Sequence, residues 1–97
     1  MTANENAEQL QSIQRLVGNE QFAVALEQLK SLLEEDADQP DVLYMTAVCH
    51  RYLRQWQEAQ SYLDRLLMLA PEHGRGHQEH GHLLRAQQMP GVALLSY

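Results

Sequence analysis

The chain has 97 residues and a net charge of −6, enough for one domain with one continuous core. With 44% hydrophobic and 21% charged residues, it has the profile of a folded domain and not of a disordered chain. The acidic balance argues against nucleic acid, which needs a basic surface to displace counterions, and no apolar run reaches the length of a membrane span.

The charge is uneven. Residues 1–41 hold nine acidic and two basic side chains, whereas residues 42–97 hold four acidic, five basic and all five histidines. Cys49 is the single cysteine and can form no internal disulfide. The N-terminus has neither the basic start nor the apolar run of a signal peptide, and a cytoplasmic location is expected.

In chain order, the apolar residues recur at steps of three and four. Leu10, Ile13, Leu16 and Val17 make a first helical stripe. Gly18-Asn19 interrupts it, and Asn19 is the expected N-cap of the next helix. Phe22, Ala25, Leu26, Leu29, Leu32 and Leu33 form the second stripe, which ends at Asp36-Ala37-Asp38-Gln39. Pro40 can open a third helix, because a first-turn N–H has no helical partner to lose. Its stripe is Leu43, Tyr44, Ala47, Val48 and Tyr52, followed by Trp56, Ala59, Leu63, Leu66 and Leu67. Pro71-Glu72-His73-Gly74 stops the fourth helix, and Pro90 is expected to open a last one over Pro90–Tyr97.

The stripes repeat. Phe22 recurs as Trp56 at a spacing of about 34 residues, and Ala25 with Ala59, Leu29 with Leu63, and Leu33 with Leu67 share that spacing. The register runs on into an incomplete third copy, Ala47 with Gly81, Ala59 with Ala93 and Leu63 with Tyr97. An aromatic followed three residues later by alanine, twice in register, is more telling than matched leucines.

A helix pair with a period of about 34 residues resembles the tetratricopeptide repeat. The best-matching copy carries Leu43, Ala47, Trp56, Ala59, Leu63, Leu67 and Pro71. The first copy departs at Ile13, where a small residue is usual, and at Ala37, where proline is usual. The third departs at His77, His80 and Pro90. The resemblance implies an all-α fold, a right-handed superhelical stack of antiparallel helix pairs. It is read as one domain over residues 1–97, with repeats at about 6–39, 40–73 and an incomplete 74–97.

It also implies that the first helix of each pair lines a concave face suited to a protein or peptide partner. On that face the register places Tyr44, Val48, Arg51 and Tyr52 from the second copy and Gln78, His82 and Arg85 from the third. Arg51 and Arg85 would lie roughly 10 Å apart on neighbouring helices. Together these side chains would suit an acidic segment or a carboxylate; the alternative is that the arginines are simply solvated. The lysine and asparagine clamp by which some family members grip a C-terminal carboxylate is not matched, since Leu10, Gln14, Tyr44 and Val48 stand there.

No catalytic set, cofactor motif or metal site is expected. His73, His77 and His80 have ligand-like spacing, but Gly74 and Gly76 should keep His73 outside the helix, while His77 and His80 fall at inward-packing positions of the repeat. Protonation of half-buried His77 and His80 near pH 6 would then loosen the third copy. Gly76 and Gly81 are followed by His82-Leu83 and make no phosphate loop. Cys49 reads as a small buried residue.

The third copy stops within its second helix, and no polar capping helix follows. The chain therefore reads as the N-terminal part of a longer protein, with self-association through the open C-terminal end as the alternative. Residues Leu43–Leu53 and Gly74–His82 are similar to the N-terminal repeats of bacterial sulfotransferases of this repeat type. That similarity implies a recognition arm for a catalytic domain lying elsewhere.

Overall fold

The computed structural model describes the backbone of residues 3–96 and the side chains of residues 8–87. Five helices follow one another: α1 (Ala3–Gly18), α2 (Phe22–Glu35), α3 (Pro40–Tyr52), α4 (Trp56–Leu69) and α5 (Gly74–Ser96). The all-α expectation holds, and the helix boundaries up to α4 fall at the breaks between the stripes. None of the helices is long and apolar enough to cross a membrane.

The two turns inside the helix pairs are built alike. Glu20 and Arg54, one repeat apart, both adopt left-handed backbone with φ of 62°. In each case the following N–H reaches back to close the helix, Gln21 to Leu16 O at 2.8 Å and Gln55 to His50 O at 2.8 Å. This is the Schellman arrangement, with a charged residue in the place usually taken by glycine. It corrects the expectation for Asn19: the N-cap of α2 is Gln21, which makes no side-chain capping bond. The Asn19 N–H instead bonds back to Arg15 O of α1 at 2.9 Å.

Pro40 opens α3 as expected. The loop before it lacks the usual proline, and Gln39 compensates. Its side-chain amide donates to Asp36 O and to Leu32 O, both at 2.9 Å, the latter carbonyl also accepting the Asp36 N–H that closes α2. Arg65 of α4 donates to Ala37 O at 2.9 Å and pins the same loop from the other side.

The core has two sections that meet at α3. Val42, Met45 and Cys49 face Ile13, Ala25, Leu26, Leu29 and Leu32 of α1 and α2. Leu43 and Ala47, on the next strip of the same helix, face Ala59, Leu63 and Leu66 of α4 and Leu83 of α5. A helix between two neighbours must be apolar on both sides, which is why α3 is buried over most of its length. Its hydroxyl at Thr46 is satisfied locally, donating to Val42 O at 2.7 Å.

The third copy docks in the register of the second. α5 buries Gly76, Glu79 and Leu83, which lie one repeat after Val42, Met45 and Cys49. Two expectations fail here. His77 does not pack inward but is exposed, and His80 is half-buried. Nor does Pro90 open a separate helix: α5 continues from Gly74 to Ser96. The failures share a cause. In the second copy, Leu43 and Thr46 are buried because α4 folds back over them; among the described residues, no such helix lies over His77 and His80. How side chains 88–97 pack, including Ala93 and Tyr97 of the expected repeat, lies outside the described residues.

Candidate functional site: a concave groove across the first helices

The first helices of the repeats line a groove of about 560 Å³. α1 contributes Leu10, Gln14 and Val17, α3 contributes Asp41, Tyr44, Met45 and Val48, and the start of α5 closes one end with His73, Gly74 and Arg75. The floor is apolar and aromatic. Polar groups stand round it: the Gln14 amide, the Asp41 carboxylate and the Arg75 guanidinium.

The α5 end is held by local hydrogen bonds. His73 caps the helix: its Nδ1 accepts the Gly76 N–H at 2.8 Å, and its carbonyl accepts the His77 N–H at 3.1 Å. Its ring lies against Tyr44, with centroids 5.8 Å apart. His77 Nε2 donates to Pro71 O at 2.6 Å. These two histidines thus engage a ring nitrogen each with the backbone. Among the described residues, no three His, Cys, Asp or Glu side chains converge as metal ligands.

Burial raises the Tyr44 phenol above its ordinary range, and the Glu79 carboxylate adds to the effect. At neutral pH it therefore keeps its O–H and can donate into the groove. Cys49 is fully buried, and burial pushes its thiol up to about 11. It stays protonated and has none of the electropositive surroundings that a nucleophilic cysteine needs.

The residues expected on the concave face divide into three groups. Tyr44 and Val48 line the groove. Arg51 and Tyr52 are committed to other contacts. Arg51 forms an ion pair with Glu79 through Nε, and its Nη2 donates a second bond to Glu79 Oε1 at 3.3 Å. Glu79 is only 2% exposed. Burial pulls the Arg51 guanidinium down, but its hydrogen bond to Glu79 and that carboxylate's charge outweigh it and raise it overall. Tyr52 is stacked on Phe22, with rings parallel and 4.6 Å apart, and the Arg51 guanidinium also lies over its ring at 4.5 Å. Gln78, His82 and Arg85 form the third group: they are exposed on α5 and are not among the residues that border the groove.

Asp41, Val17, Met45, His73 and Arg75 join the site without having been expected there. Val17 belongs to the first apolar stripe, which sequence alone assigns to the core, and Met45 falls outside the stripe read for the third helix. His73 and Arg75 sit in a loop and first turn whose direction depends on how α5 docks.

Helix pairs stacked in a constant register, with their first helices exposing a groove, define an α-solenoid. A tetratricopeptide-repeat profile matches residues 16–87. The chain belongs to that family, whose repeats generally serve protein interaction and not catalysis. No curated protein and no solved structure gives a significant match.

Proposed function

We propose that the chain binds a peptide segment of a partner protein along the groove formed by α1, α3 and the start of α5. The observation that supports this most is the groove's composition. Leu10, Val17, Tyr44, Met45 and Val48 form an apolar floor that can take two or three anchoring side chains, and the flanking polar groups can fix their orientation. The groove's cation is Arg75, not Arg51, whose charge is already neutralised by Glu79. A ligand acid therefore belongs at the α5 end, where Asp41 would disfavour a strongly acidic segment.

The test is fluorescence anisotropy with labelled helical peptides carrying apolar anchors at i and i+4, with and without a glutamate beside them. Binding should weaken at least about tenfold in Tyr44→Ala and in Val48→Asp. Arg75→Glu should remove any preference for the glutamate peptide. Equal affinity in all variants would exclude the groove as the binding site. A second reading rests on the likeness of Leu43–Leu53 and Gly74–His82 to sulfotransferase repeats. There the same groove would recruit a protein substrate to a transferase domain, and those peptides would be sulfate acceptors.

A further inference from the structure

The first turn of α5 is an unfavourable place to start a helix. It reads Gly74-Arg75-Gly76, and glycine loses more freedom on entering a helix than any other residue. A side-chain cap holds it. His73 Nδ1 accepts the Gly76 N–H at 2.8 Å, the contact that serine or aspartate commonly makes at a helix start. The caps of α2, α3 and α4 are Gln21, Gln39 and Gln55, and none of them makes a side-chain capping bond. Of these four starts, that of α5 alone depends on a ring that can take up a proton.

A backbone N–H can only donate, so Nδ1 carries its lone pair and the proton of the neutral ring lies on Nε2. Protonation turns Nδ1 into a donor facing a donor, and the cap is lost. The positive end of the α5 dipole and the Arg75 guanidinium also oppose a charged ring there, whereas Asp41 of α3 and Glu72 of the preceding loop favour it. α1 brings only Leu10, Gln14 and Val17 to this groove, the last turn of α4 is uncharged, and Arg51 and Glu79 are paired with each other. His77 is the contrasting case: its Nε2 donates to Pro71 O, and a charged ring keeps that bond.

The cap is also part of the groove. His73, Gly74 and Arg75 form its α5 end, and the His73 ring lies against Tyr44 with centroids 5.8 Å apart. Losing the cap moves a wall of the groove and frees the turn that carries its cation.

We propose that protonation of His73 uncaps α5 and loosens the peptide bound in the groove, so that the site holds its partner more tightly at neutral pH than in mild acid. This rests on the groove as the binding site. The sign follows from the cap. The bound state requires the neutral ring, so affinity is full where the ring is neutral and is lost as pH falls through its titration.

The probe is a labelled helical peptide with apolar anchors and no titratable side chain, followed by fluorescence anisotropy. Its affinity for the native chain should fall about five- to tenfold between about pH 7.5 and 5.5. Over the same range the Gly76 amide signal, followed by heteronuclear NMR of the free chain, should shift as its hydrogen bond is lost. His73→Asn puts at the cap an acceptor that does not titrate and should flatten both curves. His77→Asn should keep the native slope. A slope that survives in His73→Asn, or a Gly76 amide that does not respond to pH, would overturn the proposal. Binding that is as tight in acid as at neutral pH would overturn the switch and leave the groove reading standing, whereas no binding at either pH would overturn both.

Discussion

Arg51 and Glu79 stand one repeat after Val17 and Met45. The same contact between successive first helices is thus apolar at one interface and ionic at the next. Glu79 is almost wholly buried, whereas the Arg51 side chain keeps 18% of its surface. Removing one partner strands the other, and a stranded buried charge costs more than the pair contributes. Glu79→Met should therefore destabilise by about 1–3 kcal/mol, with Arg51 able to relieve part of the loss by turning to water. Arg51→Val should cost more, because it leaves the more deeply buried carboxylate unpaired. The double variant copies the first interface into the second and should regain most of the loss. Urea unfolding of the four chains in a double-mutant cycle gives the coupling directly.

At the scale of a helix, α5 carries two glycines with opposite roles. A Cβ at Gly76 would lie 2.9 Å from Leu66 Cδ2 and 3.2 Å from both Leu67 Cδ2 and His73 Nδ1. Leu66 is fully buried and has nowhere to move. Gly76 is what lets α5 approach α4 and lets His73 cap it. A Cβ at Gly81 would meet nothing within 4 Å. Gly76→Ala should destabilise by about 1–3 kcal/mol through overpacking, against its better helix propensity. Gly81→Ala should stabilise by about 0.5–1 kcal/mol from helix propensity alone. Thermal unfolding followed by circular dichroism separates the two. The small residue expected at position 81 to admit a crossing helix has no helix crossing it within the described residues, which is why its substitution is benign.

Across the whole molecule, each helix pair touches only its neighbours, so stability should be graded along the stack. α3 packs against α2, α4 and α5, whereas α1 packs chiefly against α2. Native-state hydrogen exchange should find the slowest amides in α3 and α4 and faster opening in α1. Uniform protection from α1 to α4 would mean that the stack opens as one unit.

Much of this architecture was legible in the residues. The three- and four-residue spacing set the helices, and the longer repeat register set their pairing, because each position repeats both its helix face and its neighbour. Pro40 could be read as a helix start because its effect is local. Two groove residues, Tyr44 and Val48, followed from the same register. What the tertiary structure alone decided was where neighbours are present or missing. Arg51 looked like a groove cation until the docking of α5 brought Glu79 against it. His77 and His80 looked like core residues, but among the described residues no helix covers them, and they stay exposed and half-buried. A periodic sequence specifies which face of a helix can be buried; whether it is buried depends on a partner that lies far away along the chain or on another molecule.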